Sequence, residues 1–289
     1  MLVLFADSDC DMTPIIAERY GYHIIPMPYI EDGKEILPYV DWDEFDSHTF
    51  YNRLRHGHLP STCGLSPQKY KEYFEPFFKN GDDILYVHFS AKMSSTFNAM
   101  RMALDDLKKD YPERKFYSID TKAISIGALN ILEEIGDMIL DGKSIDEVME
   151  WSKSEVDHFA TYFYADDLKF FARSGRVSGI SAKMGNLLGI HPIINMDQEG
   201  VMDSIGKVPG RMNALRTILK YVEDLGDEVE KHRVLVVHSD APFLAERIVM
   251  MLKKKYGRDL RIETTIVNPT SGVHCGPDCV GVCFHSKRR

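Results

Sequence analysis

Two stretches of hydroxyl side chains are the residues of this chain best suited to chemistry. One is Ser90-Ala-Lys-Met-Ser94-Ser95-Thr96, which follows the apolar run Ile84–Val87; the other is Leu59-Pro-Ser-Thr62-Cys63-Gly-Leu-Ser66-Pro67. Each leads into a segment with helical spacing. Phe97, Met100, Leu104 and Leu107 follow the first. Pro67–Lys79 follows the second, with Ser66 as N-cap and Pro67 in the first turn. The first turn of a helix leaves backbone N–H groups unpaired and favours negative charge, so such loops make anion sites. The two loops could converge on one anion. Ser94 or Ser95 would equally serve as a plain N-cap.

Other groups widen the choice. Asp7-Ser8-Asp9 ends the apolar start Met1–Ala6, where open α/β sheets place their sites, or caps the segment after Pro14. Arg173 and Arg176 lie in a basic glycine turn, 173–179, either as surface charges or as bidentate partners for a carboxylate or phosphate. His274, Cys275, Cys279, Cys283 and His285 invite a zinc reading. Three residues between successive cysteines argue against it, because structural zinc sites favour a C-x-x-C knuckle. That spacing instead predicts buried thiols on one face of a helix, and no metal. No G-x-x-x-x-G-K-[ST] or G-x-G-x-x-G pattern is present, so neither common nucleotide loop is available. A serine acyl hydrolase using Ser94 and His274, with Asp120 or Asp7, is the alternative function. The chain has no G-x-S-x-G elbow to favour it.

The elements that must position these groups alternate. Strands are expected at Tyr22–Ile30, Ile84–Val87 and Lys115–Ile119, and helices at Asp41–His56, Pro67–Lys79 and Ile124–Leu140. Ser144 with Glu147 forms a capping box for a further helix to about Asp157. The alternation predicts a parallel sheet with helices on both faces. Texture changes at His158: an aromatic strand Phe159–Ala165, a short helix Asp166–Phe171, strands from His191 to Met196, Val234–His238 and Arg261–Val267, and helices Pro209–Leu225 and Pro242–Lys255. The division predicted is 1–157 and 158–289, both α/β. A chain of 289 residues with 44% hydrophobic residues can bury a core in each half. The net charge of -9 argues against nucleic acid or an anionic membrane as partner. No run is long enough to span a bilayer, and acid arrives too early for a signal peptide, so the expected location is cytoplasmic. Five cysteines, an odd number, suit reduced thiols.

Taken together in order, the motifs resemble those of the DegV family, the bacterial fatty-acid-binding proteins that serve as lipid-carrying subunits of fatty acid kinase. Asp7-Ser8 resembles its opening motif, and Thr62-Cys63-Gly64-Leu65-Ser66 its Thr-Ser-Gln-Pro-Ser. Ser90 to Phe97 resembles its Ser-x-x-Leu-Ser-Gly-Thr-Tyr, and Asp120-Thr121 its Asp-Ser. Ser174-Gly175-Arg176-Val177-Ser178 resembles Gly-Gly-Arg-Ile-Ser, and His274-Cys-Gly276-Pro277-Asp278 its His-x-Gly-Pro-Gly. The resemblance implies a two-domain DegV-like fold: a Rossmann-like parallel-sheet domain, a second α/β domain, and an acyl chain buried between them. It implies a carboxylate held by Thr62, Ser94 and the Ser95 N–H, with His274 close by and Cys63, Arg173 and Arg176 in support. It implies no cofactor, and an ATP-binding kinase subunit as partner to which the lipid is presented for conversion to acyl phosphate. Cys63-Gly64-Leu65, Ser95 and Asp278 depart from the family pattern. Physically, about 0.8 kcal/mol per buried methylene would supply most of the affinity. The carboxylate needs several hydrogen bonds, which two hydroxyls, a helix-end N–H and a protonated His274 would provide. The fourteen methionines are compatible with a pliable lining.

Overall fold

The computed structural model describes residues 1–178 and 189–289; Gly179, the end of the basic turn, lies outside them. The first half runs β1 (Leu2–Asp7), α1 (Pro14–Tyr20), β2 (Tyr22–Ile25), β3 (Tyr29–Glu31), β4 (Lys34–Ile36), α2 (Ser47–Arg55), β5 (Ser61–Thr62), α3 (Pro67–Lys79), β6 (Asp83–His88), α4 (Thr96–Asp110), β7 (Phe116–Asp120), α5 (Ile126–Leu140) and α6 (Ile145–Glu155). Strands β2-β1-β6-β7 form a parallel sheet in that order, as the alternation requires. The order reverses between β1 and β6, which opens a crevice beyond their carboxyl ends.

The expected single strand Tyr22–Ile30 is two. Pro26 and Pro28 interrupt the ladder, and the chain leaves the parallel sheet for a small antiparallel one, β4-β3-β5. That small sheet matters to the site, because β5 pairs Thr62 with Tyr29. Local signals elsewhere act as read: Ser66 accepts from the Lys69 N–H at the start of α3, and Ser144 with Glu147 closes a full capping box on α6.

The second half runs β8 (Phe159–Tyr164), α7 (Leu168–Ser174), β9 (Val177–Ser178), β10 (Ile190–Met196), β11 (Met202–Pro209), α8 (Arg211–Leu225), β12 (Val234–His238), α9 (Pro242–Tyr256), β13 (Ile262–Ile266), α10 (Pro269–Cys275) and β14 (Val280–His285). Its strands make one mixed sheet, β13-β12-β14-β8-β10-β11-β9. On one face Ala160, Tyr162, Val236 and Phe284 pack into an apolar core with Ile218 of α8 and Ile248 of α9. On the other face α5, from the first half, lies against β8, β12 and β14. Arg233, wholly buried, fixes it there through Glu133 (3.2 Å) and Asp137 (2.6 Å) of α5. A charge without solvent requires such partners.

One expectation fails here. Cys275, Cys279 and Cys283 do not share a helix face: the helix stops at Cys275, Cys279 lies in the following turn, and Cys283 is in β14. The helix cannot continue, because Gly276 takes φ 73° and its α-carbon packs against the Phe170 ring, where a Cβ has no room. All five cysteines are free thiols, and four are buried.

Candidate ligand-binding cavity

A cavity of about 950 Å³, counted with its opening to solvent, lies between the crevice of the parallel sheet and the α5-side face of the mixed sheet. Its walls are mainly apolar, with Phe89, Ile126, Phe163, Met196, Met202 and Val237 among them. Thr62, Cys63, Ser94, Arg176 and His274 also border it.

Each of these side chains is held by a local device. Thr62 is fixed by the β5–β3 pairing, and its hydroxyl lies 3.0 Å from His274 Nε2. His274 stands in the last turn of α10, which Asn268 caps by accepting from the Ser271 N–H at 2.9 Å. Two groups of Asn268, its N–H and its amide, bond Asp11 at 2.8 and 2.7 Å, and Thr270 donates to the Met27 carbonyl at 2.8 Å. The helix that carries His274 is thereby fastened to the first half. Ser94 Oγ accepts from the Thr96 N–H at 3.2 Å, which leaves its own proton free to point elsewhere. The turn before α4 is closed by Met93 N–H to Ser90 O and Asn98 N–H to Ser95 O, bonds that use neither the Ser94 nor the Ser95 N–H.

Thr96 couples the two hydroxyl loops. Its Oγ1 accepts from the Leu65 N–H and meets Tyr70 Oη, both at 3.0 Å. Gly64 permits that approach, since a Cβ there would stand 3.3 Å from Thr96 Cβ. The loops therefore converge, as their shared relation to helix starts suggested. Ser95 is exposed and its side chain does not border the cavity.

The electrostatics correct one expectation. Burial, with Arg176 and Arg173 nearby, pushes the His274 pKa down to about 3, so the ring is neutral at pH 7 rather than protonated. Its Nδ1 is buried without a hydrogen-bond partner among the described residues. The available positive charge belongs to Arg176, which among the described residues bonds only the Ser174 carbonyl, at 2.6 Å. Arg173 is not free for a ligand. Its guanidinium donates to the Leu59 carbonyl (2.9 Å) and to that of Pro60, and so ties α7 to the loop before Thr62. Cys63 is a wall thiol beside Glu35, its pKa pushed up to about 11 by burial and that carboxylate.

No triad assembles. His274 Nε2 faces Thr62, not Ser94, and no carboxylate meets Nδ1. Asp120 is engaged by the Ala91 and Lys122 N–H groups, and Asp7 by the Phe89 N–H and Tyr86 hydroxyl. Asp7 and Ser8 are scaffold: Ser8 Oγ accepts from the Met27 N–H at 2.8 Å. Of the Asp7-Ser8-Asp9 stretch, Asp9 does border the cavity, as does Thr161 of β8, which no sequence signal marked. Asp278, which stands where the family motif has glycine, holds φ 63° and pairs with Arg55 at 2.8 Å. Among the described residues no group of three or more His, Cys, Asp or Glu could hold a metal, and no helix is long and apolar enough to cross a membrane.

A parallel sheet with its crevice closed by a second, mixed sheet defines an α/β ligand-binding architecture. Within that class the chain belongs to the DegV family, whose model, described as uncharacterised protein of the DegV family, matches residues 1–287. A DegV domain-containing protein of Clostridium perfringens is 29% identical over 283 residues, covering 98% of this chain and 96% of the relative. A stearic acid-binding protein from Eubacterium ventriosum has the same fold at TM-score 0.86 and 20% identity, covering 99% of each chain. A DegV family protein from Eubacterium eligens, solved loaded with heptadecanoic acid, matches at TM-score 0.84 and 23% identity, covering 99% of this chain and 100% of that one.

Proposed function

We propose that this chain binds one long-chain fatty acid in the cavity, between units 1–157 and 158–289. The observation that carries the reading is that Thr62, Ser94, Arg176 and His274 all border one mainly apolar cavity. Solved relatives described as carrying stearic or heptadecanoic acid support it. Thr62 and Ser94 donate hydroxyl protons to the carboxylate, the unused Ser95 N–H adds a third donor, and Arg176 balances the charge. Neutral His274 contributes as the Nε2–H tautomer. Its Nε2–H donates to Thr62 Oγ1, which leaves the Thr62 proton free for the acid.

The family resemblance further suggests that the chain is not itself an enzyme, works in the cytoplasm without a cofactor, and offers the carboxylate to a separate ATP-binding kinase subunit. The test of the binding step is calorimetry on delipidated protein. A long-chain acid should bind saturably and its methyl ester far more weakly. Equal affinities would remove the carboxylate site.

A further inference from the structure

An all-apolar tail would leave two cavity-wall groups unanswered. Asp9 is 7% exposed and Thr161 5%, and both border the cavity. Asp9 Oδ1 and Thr161 Oγ1 have no hydrogen-bond partner among the described residues; the polar group noted beside the Thr161 hydroxyl is the weak thiol of Cys283. Native interiors rarely leave such groups unpaired without a reason.

The two groups flank one feature, the first turn of α5. The Ser125 N–H donates to the Asp9 backbone carbonyl at 2.9 Å, and a Cβ placed on Gly127 would stand 2.5 Å from Thr161 Oγ1. Ser125 occupies the N-cap with φ 56° but forms no side-chain cap, because its hydroxyl is given to Asp11. Helix α5 has fifteen residues, and Ser125 and Ile126 at its start border the cavity. A helix start without a cap, a carboxyl group and a hydroxyl thus surround one stretch of wall.

We infer that this stretch is a second polar site, which takes an oxygen carried on the acyl chain of an oxygenated long-chain fatty acid, as a hydroxyl or keto group. The inference rests on the fatty-acid reading of the cavity. Burial raises the Asp9 carboxyl well above the usual carboxylate range, and the neighbouring charges of Asp7 and Asp11 push the same way. The unpaired Asp9 Oδ1 is an acceptor, and the Thr161 hydroxyl is both donor and acceptor. A chain hydroxyl donates to Asp9 Oδ1 or meets Thr161 Oγ1, and a keto oxygen accepts from the Thr161 hydroxyl. A second carboxylate is excluded, because it would be buried beside three acids.

The test compares stearate, methyl stearate, a positional series of monohydroxystearates and the C18 α,ω-dicarboxylate on delipidated wild-type protein, Thr161→Val and Asp9→Leu. At least one hydroxy isomer should bind the wild type about 10-fold more tightly than stearate, equivalent to about 1.4 kcal/mol. That ratio should fall to about one or below in both variants, and the dicarboxylate should bind worse than stearate. Thr161→Val is isosteric and keeps the test valid should Asp9→Leu fail to fold. The inference is overturned when every hydroxy isomer binds the wild type more weakly than stearate, or when the preference survives Thr161→Val. Equal binding of stearate and its methyl ester would instead overturn the carboxylate site, whatever the hydroxy isomers do.

Discussion

The two faces of the mixed sheet are built from the same strands and do opposite work. Along β8, Ala160, Tyr162 and Tyr164 enter a core of apolar side chains under α8 and α9, while Thr161 and Phe163 border open space. In β12, Val236 faces the core and Val237 the cavity. Period-two alternation lets one strand supply stability on one side and a ligand wall on the other. The cavity side also has the buried Asp7, Asp9 and Asp11 in its neighbourhood.

That contrast can be broken first by truncation. Phe284→Ala, on the packed face, should cost about 3–5 kcal/mol, the range for deleting a buried aromatic ring. Phe163→Ala, on the cavity wall, should cost clearly less and show mainly in ligand affinity, because that ring already borders empty space. Denaturant midpoints decide, and equal losses would mean that both faces are load-supporting cores.

A second lever is pH. Burial raises the Asp7 and Asp11 carboxyls from 3.8 to about 6. Between these values the folded state keeps protons that the unfolded state has released, so stability falls as pH rises from about 4 to 6. Two units correspond to roughly 3 kcal/mol for one such group. The denaturant midpoint should therefore be higher at pH 4.5 than at pH 7, and Asp7→Asn should flatten the difference. A midpoint that climbs over this window would contradict the assignment.

Smaller effects belong to the polar end. Thr62→Ala and Ser94→Ala should each weaken fatty-acid binding by about 1.5–3 kcal/mol, without adding, since both act on one carboxylate. A double-mutant cycle with strict additivity would separate them. Smallest of all is the expected response of His274: in ligand-free protein its ring NMR signals should not titrate between pH 5 and 8. A midpoint near 6.5 would restore the cationic histidine.

Much of the scaffold was legible because its signals are local. Ser66-Pro67, Ser144 with Glu147 and the apolar run at Ile84 each specify their own element. The parallel sheet followed from alternation alone. What escaped depends on distant partners. Strand β11 reads Met-Asp-Ser-Ile-Gly-Lys-Val-Pro, too polar to stand out, and is a strand because β10 pairs with it. The prolines at 26 and 28 were visible and should have divided Tyr22–Ile30. Thr62, Ser94 and His274 could be nominated by motif, yet no sequence signal marks the Thr62–His274 contact across 212 positions. Thr161 is one threonine in an aromatic strand, and only the tertiary fold turns it toward a cavity. The role of Arg173 was open for the same reason: the carbonyls that engage it lie 113 and 114 positions away.

The place of β14 in the mixed sheet has a kinetic consequence. It follows every other strand in the sequence, yet it lies between β12 and β8, paired to both. During synthesis β8 and β12 emerge with no partner between them, and the sheet closes only when β14 inserts. Such non-local pairing is slow, and until it is complete two strand edges are open to other chains. Gly281, in the same strand, borders the cavity. Completion of the cavity wall is therefore the final event of the sheet's folding, and a chain truncated before Val280 should aggregate.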